Sequence, residues 1–237
     1  EGPMTMRTAH AKSKNMVSIR ILQSIGPPFA QEWITRFGFD ADKHPAYLTM
    51  ALGAGSVTPM QMATAFAVFA NGGFRVNPVL IRKLTDDRGH VLAESPTLAP
   101  EESDRALDAR NAFLMSSLLQ EVTRSGTAAS AKVKLQRGDI FGKTGTTNDS
   151  MDAWFAGFQR NVVAVAWIGY DTPRKLGERE TGGGLALPVW IDYMGFVLRG
   201  VPVEEPGAPE GVVNQGGEWF FEEFTHNAGV SSLGLED

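Results

Sequence analysis

The 237-residue chain contains no cysteine, which excludes a thiol nucleophile, a thiolate metal site and a disulfide framework. Histidine is scarce as well. The four histidines, His10, His44, His90 and His226, are scattered, without an i,i+4 pair or an HExxH motif. A zinc site is therefore not expected, and the sequence predicts chemistry by its own side chains without a metal or another cofactor.

Positive charge is also limited, and no long apolar run is present. The net charge is −5, and no dense run of Lys and Arg occurs. This balance argues against nucleic acid or an anionic membrane as the main partner. No apolar stretch approaches the length that spans a bilayer, and no signal peptide is present. Because the chain begins at Glu1 without an initiator Met, we expect it to be part of a longer protein.

The apolar periodicity predicts an α+β fold, in which a helical part precedes an antiparallel sheet with a covering helix. Five helices are predicted, at about residues 5–25, 30–37, 59–70, 108–123 and 187–199. Two hairpin strands are predicted at residues 79–85 and 90–94, and three consecutive strands at 139–146, 152–159 and 162–170. The last of these is apolar on both faces, so we expect it at the centre of the sheet and covered on both sides.

The sharpest local motif is Lys-Thr-Gly-Thr-Thr at residues 143–147, which follows the apolar pair Ile140-Phe141. A structural interpretation is a strand that ends in a turn at Asn148-Asp149. The functional interpretation is an anion and amide site at an edge strand. A Lys cation and Thr hydroxyls bind a carboxylate, while the strand backbone pairs with an extended peptide.

A nucleotide-binding enzyme competes for the same residues. Residues 138–144, Gly-Asp-Ile-Phe-Gly-Lys-Thr, resemble the phosphate-binding loop GxxxxGK[ST]. Only three residues separate the two glycines, however, where that loop requires four. A helix must also begin directly after the Lys-Thr pair, and residues 145–150 are a poor helix start. The phosphate-loop interpretation is therefore rejected.

The second motif is Ser13-Lys14-Asn15, which falls in the middle of the first predicted helix. Alone it is uninformative, because a polar surface turn of a helix explains it equally well. Its meaning changes when it is combined with Lys-Thr-Gly. Penicillin-binding proteins and β-lactamases combine Ser-x-x-Lys, a triplet of this type and Lys-Thr-Gly. Two of the three motifs occur here, in the right order.

More of the chain resembles the class A, bifunctional penicillin-binding proteins. The similar blocks include residues 2–5, 56–63, 69–73, 125–128, 152–157 and 182–190. The resemblance covers about residues 2–200 and implies a penicillin-binding, β-lactamase-like serine transpeptidase fold. We therefore expect a transpeptidase domain at residues 1–200 and a C-terminal linker or ordered surface tail of unknown role at 201–237.

The chain departs from the family pattern in one respect: it contains no Ser-x-x-Lys. In the family this motif supplies the acyl-accepting serine and its lysine base, upstream of the Ser-x-Asn triplet. The resemblance therefore implies an incomplete site, with the nucleophile in an upstream segment of the same protein, together with a glycosyltransferase domain.

Three residues are implied to be catalytic: Ser13, Asn15 and Lys143. Ser13 is implied to relay protons between the upstream lysine and the leaving amine. Asn15 is implied to hold the backbone amide of the substrate. Lys143 is implied to provide positive potential, which keeps the neighbouring lysine neutral and attracts a carboxylate.

Three further residues are implied to bind substrate: Thr144, Gly145 and Thr146. The two threonines are implied to hydrogen-bond the terminal carboxylate, and the Thr146 N–H to form half of an oxyanion hole. Gly145 is implied to leave room for the substrate beside the strand.

The resemblance implies a peptidoglycan D,D-transpeptidase, whose partners are D-Ala-D-Ala stem peptides and β-lactam antibiotics. It also implies a position in the cell envelope, outside the cytoplasm, in a protein anchored in the inner membrane. Two alternatives share the scaffold. A serine β-lactamase needs a deacylating base, and no such base is recognisable in the sequence. A non-catalytic β-lactam sensor usually lacks the class A blocks.

Overall fold

The computed structural model describes residues 2–96, 99–178 and 180–225. These residues form the α-helices α1 (Met6–Ala11), α2 (Asn15–Ile25), α3 (Pro27–Trp33), α4 (Pro59–Ala70), α5 (Ala109–Arg124), α6 (Ala129–Leu135) and α7 (Leu187–Val197). Short 3-10 helices follow α3, and a π-helical turn (Gly182–Ala186) precedes α7. The helix predicted at 59–70 is confirmed residue for residue, and Thr58 caps it in a capping box with Gln61. The short helix α6 was not predicted.

The strands form three antiparallel sheets. They are β1 (Lys83–Thr85), β2 (Val91–Glu94), β3 (Phe141–Thr146), β4 (Ala153–Gln159), β5 (Val162–Ile168), β6 (Val212–Gln215) and β7 (Glu218–Phe221). β1 pairs with β2 as the predicted hairpin, with shorter strands than expected, and β6 pairs with β7. The main sheet has the order β3-β4-β5, which confirms the predicted meander.

The prediction for β5 is half right. Helices do cover both of its faces, because Ala164 packs against the core under α7 and Val163 against the cluster that contains Phe66 of α4. Its central position is wrong: within the described residues β5 is an edge strand, and β4 lies in the middle. An apolar pattern on both faces of a strand indicates that its side chains are buried. It does not indicate strand order, which depends on the strands with which its backbone forms hydrogen bonds.

The core lies on both sides of the main sheet. On one side Trp190 and Met194 of α7 pack against Phe155 of β4, with ring centroids of Phe155 and Trp190 4.8 Å apart. On the other side Phe141 and Phe158 stack at 4.9 Å. Full burial of such side chains contributes about 1.5–3 kcal/mol each. The sheet that carries the Lys-Thr-Gly motif is therefore held rigidly from both faces.

The first predicted helix is wrong as a continuous helix. Thr5 caps its start as predicted, with its hydroxyl accepting from the Thr8 N–H. The helix then breaks after Ala11, and α2 begins at Asn15. Between them Ser13 has a φ of 53°, in the left-handed region. Ser and Asn compete with helical backbone hydrogen bonds, which makes this polar stretch a suitable place for a break.

Residues 201–225 are ordered against the domain. The buried Arg137 pairs with Asp139 and donates to the carbonyl oxygens of Val201 and Pro202 at 2.6 and 2.8 Å. Further along, the Trp219 ring of β7 packs on Phe113 of α5 at 5.1 Å. The domain boundary at residue 200 stays a prediction, and residues 226–237 lie outside the described residues.

Candidate active site

The Lys-Thr-Gly motif occupies β3, at the edge of the main sheet. Its register against β4 is regular, from Phe141 opposite Phe158 to Thr146 opposite Ala153. A 3-10 turn at Asn148–Ser150 follows the strand. Because no helix begins after Lys143 and Thr144, the phosphate-loop alternative fails in the structure as it did in the sequence.

Lys143 and Ser13 meet directly. The Lys143 Nζ donates to Ser13 Oγ at 2.9 Å, although the two residues are 130 positions apart. Nζ also contacts the carbonyl oxygen of Thr144 at 3.0 Å. Two side chains that the sequence assigns to one site are therefore in direct contact. Since Ser13 Oγ accepts from the ammonium, its own hydrogen is free for a further acceptor.

The charge on Lys143 is tuned by its environment. Burial lowers the pKa of Lys143 to about 8 from its ordinary value of 10.5. At neutral pH the group still holds its proton, but it gives the proton up far more readily than an exposed lysine. A lysine with a lowered pKa next to a hydroxyl is typical of sites that transfer protons.

His10 is a neighbour that the sequence motifs did not single out. Burial and the Lys143 charge lower the pKa of His10, while an interaction with the Leu118 carbonyl opposes them. The imidazole is therefore neutral at pH 7 and adds no second cation beside Lys143. In the sequence, the only signal that His10 lies near the site is its position one helical turn before Ser13.

The break between α1 and α2 holds Ser13 in place. The Ser13 N–H donates to the His10 carbonyl at 3.1 Å, and the Lys14 N–H to the Ala9 carbonyl at 2.9 Å. A non-glycine residue in the left-handed region costs about 1–3 kcal/mol, and such conformations cluster at functional sites. Asn15 is exposed at the first position of α2. That its side chain projects into the same cleft stays a prediction.

The two threonines of β3 have hydrogen-bond partners that prepare them as donors. Thr146 Oγ1 accepts from the Gly182 N–H at 3.0 Å, which leaves its hydrogen available. Thr144 Oγ1 lies 2.6 Å from Thr127 Oγ1. Thr127 belongs to the block at residues 125–128, to which the family resemblance assigns no role. Gly145 lies against β4, where an added Cβ would be 3.2 Å from Trp154 Cβ.

A cleft of about 710 Å³ runs along β3 between the sheet and the helical part. It is lined by residues 143–147 and by Met62 and Phe66 of α4. Trp154 and Trp167 also line it, with ring centroids 5.8 Å apart, and Trp167 Nε1 donates to Asp152 at 2.8 Å. The cleft thus combines apolar walls with a few convergent polar groups, as ligand sites do.

Comparison with known proteins identifies this arrangement. The family model described as penicillin binding protein transpeptidase domain matches residues 1–189. The chain belongs to the penicillin-binding protein transpeptidase family. The family and the α+β transpeptidase fold predicted from the motifs are thereby confirmed.

Similar relatives include penicillin-binding proteins 1A, as the resemblance to class A members predicted. The chain is 51% identical to that of Neisseria flavescens, over 94% of this chain and 28% of the relative. It is 39% identical to that of Pseudomonas aeruginosa, over 90% of this chain and 31% of the relative. The crystal structure of penicillin-binding protein 1A from Haemophilus influenzae superimposes with a TM-score of 0.86 at 34% identity, over 93% of this chain and 40% of that one.

The chain therefore spans about a third or less of the length of these curated relatives. None of the helices within the described ranges is long and apolar enough to cross a membrane. Nor do the described parts of the chain bring together three or more His, Asp or Glu side chains that could hold a metal ion.

Proposed function

We propose that this chain provides the proton-relay and substrate-binding part of a peptidoglycan D,D-transpeptidase site. The observation that carries the proposal is the 2.9 Å contact between Lys143 Nζ and Ser13 Oγ. Two motifs that are remote in sequence form one hydrogen-bonded unit, and one of them, at residues 143–147, lines the cleft. In this proposal Ser13, Asn15 and Lys143 are catalytic, and Thr144, Gly145 and Thr146 bind substrate.

The proposed reaction uses a serine from a Ser-x-x-Lys segment upstream of this chain in the longer protein. Its oxygen attacks the carbonyl carbon of the D-Ala-D-Ala amide, and its proton passes to the lysine of that motif. Ser13 relays a proton to the leaving nitrogen, so that D-Ala departs as an amine and an ester remains on the serine. The amine of a second stem peptide then attacks the ester, forms the crosslink and releases the serine.

The residues of β3 support this reaction electrostatically. The Lys143 ammonium attracts the terminal carboxylate of the donor peptide and keeps the upstream lysine neutral by repulsion between like charges. The hydroxyls of Thr144 and Thr146 donate hydrogen bonds to that carboxylate. The Thr146 N–H stabilises the oxyanion that develops on the attacked carbonyl.

The proposed partners follow from the same chemistry. They are D-Ala-D-Ala stem peptides, β-lactam antibiotics that mimic them, and the upstream segment with the nucleophile and a glycosyltransferase domain. The site would work on the outer side of the inner membrane, in a protein anchored there by parts outside this chain.

Labelling with a fluorescent penicillin tests the proposal. A longer protein that adds the upstream Ser-x-x-Lys should form a stable covalent adduct, whereas the 237-residue chain alone should not. Stoichiometric labelling of the chain alone would place the nucleophile within it and overturn the assignment. Rapid hydrolysis of the adduct would instead indicate a β-lactamase, and stable labelling without peptide crosslinking would indicate a sensor.

A further inference from the structure

Thr127 contacts the site from outside both catalytic motifs. Its Oγ1 lies 2.6 Å from Thr144 Oγ1, and either hydroxyl is able to donate. Thr127 is exposed and Thr144 is half-buried, so both hydroxyls are accessible from solvent. The two residues come from different elements, the loop between α5 and α6 and the strand β3.

The number of hydrogens in this pair limits what it can do. Each hydroxyl has one hydrogen and two acceptor positions. When Thr127 donates to Thr144, the Thr144 oxygen accepts that hydrogen bond, and the Thr144 hydrogen is available to a ligand. A hydroxyl that accepts one hydrogen bond becomes a stronger donor in the next. The pair is therefore suited to present one polarised O–H group to an anion.

The backbone around Thr127 is tied to the other half of the site. The Thr127 N–H donates to the Ala11 carbonyl at 3.1 Å, two residues before Ser13. A Cβ added at Gly126 would lie 2.3 Å from that same Ala11 oxygen, so the loop and the end of α1 are in tight contact. Thr127 thus joins the segment that presents Ser13 to the strand that presents Thr144.

We propose that Thr127 is a substrate-positioning residue, which donates to Thr144 Oγ1 and so directs the Thr144 hydroxyl to the terminal carboxylate of the substrate. The proposal rests on the function proposed above. Thr127 itself acts through Thr144, and its effect should depend on whether the ligand carries a carboxylate.

The test compares two ligands in the longer protein that carries the nucleophile. Second-order acylation rates are measured with benzylpenicillin and with its methyl ester, which lacks the carboxylate. Thr127→Val keeps the shape and removes the hydroxyl. It should slow acylation by benzylpenicillin about tenfold, in line with one hydrogen bond to a charged group, and change the methyl ester rate by less than about twofold. The loss should appear in the concentration for half-saturation rather than in the limiting acylation rate.

Two other variants separate this effect from a structural one. Thr127→Ser restores the hydroxyl and should recover most of the benzylpenicillin rate. Thr85→Val replaces an exposed threonine of the remote hairpin strand β1. It should change the acylation rate with neither ligand. If Thr127→Val does not fold, Thr127→Ala provides a second variant without a hydroxyl.

Three results would overturn the inference. Equal rates of Thr127→Val and the wild type with benzylpenicillin would show that the hydroxyl is unused. Equal losses with both ligands would show a structural role. Either result leaves the proposed function intact. No acylation of the wild-type longer protein by benzylpenicillin would instead overturn the proposed function, and this inference with it.

Discussion

Two segments meet at the contact between Lys143 and Ser13, and they present these side chains in different ways. β3 is regular and pairs residue by residue with β4, so Lys143 extends from a rigid strand on a long, flexible side chain. Ser13 lies in an irregular break between two helices, with a φ of 53°. A serine has a single side-chain carbon, so its hydroxyl can be placed only by placing the backbone. The strained backbone conformation is therefore found at Ser13, which has a short side chain. The regular backbone conformation is found at Lys143, which has a long one.

The largest expected effect comes from removing the hydroxyl of the strained segment. In the longer protein, Ser13→Ala should slow acylation by a penicillin about a thousandfold, as expected for the loss of a proton-transfer group. Ser13→Gly should be equally inactive but more stable than Ser13→Ala by about 0.5–1 kcal/mol, because glycine adopts a positive φ without strain. Acylation rates and thermal unfolding measure the two effects. An active Ser13→Gly would show that the backbone alone suffices.

Removing the ammonium of the regular strand should have a somewhat smaller effect. In the longer protein, Lys143→Ala should slow acylation about a hundredfold, since it removes one electrostatic stabiliser of the reacting groups. Its thermal stability at neutral pH should not fall, because burial of the ammonium disfavours the charged form in the folded state. Lys134→Ala, at an exposed position of α6, is the matched control and should behave as wild type. A large stability loss with unaltered acylation would assign Lys143 a purely structural role.

A third change tests the contact that positions the Ser13 segment. Gly126→Ala would bring a methyl group to 2.3 Å from the Ala11 oxygen and 2.8 Å from Val122 Cα. Because both are backbone atoms, we expect a destabilisation of about 1–3 kcal/mol in denaturant unfolding of the 237-residue chain. Gly207→Ala, where an added Cβ meets nothing within 4 Å, should stay within about 0.5 kcal/mol of wild type. Equal stabilities of the two variants would mean that the loop and α1 separate easily.

The smallest expected effect is a pH dependence of stability. Folded Lys143 loses its proton near pH 8, whereas the unfolded chain keeps it until about pH 10.5. In this window the unfolded state binds more protons, so stability rises with pH. The melting temperature of the wild-type chain should therefore rise relative to that of Lys143→Met between pH 8 and 10.5. A constant difference across this range would show that burial does not perturb the ammonium.

Patterns of local origin were predicted well. The helix at residues 59–70, the hairpin of β1 and β2 and the strand that carries Lys143 each depend on residues close together in sequence. The position of β5 at the sheet edge and the packing of β6 and β7 on α5 were missed. Both depend on contacts between remote segments, which apolar periodicity does not report.

The amino-acid sequence by itself determined the family, through motifs whose order and residue types are visible without coordinates. It also predicted which side chains carry the chemistry: a hydroxyl at Ser13 and an ammonium at Lys143. Only the tertiary structure decided that these two atoms lie 2.9 Å apart, and that Thr127 joins them through Thr144 and Ala11. The reason is physical. A hydrogen bond requires placement within a few tenths of an ångström. Over 130 positions such placement is set by the packing of α1 on α5 and of α5 on β3 rather than by local preference.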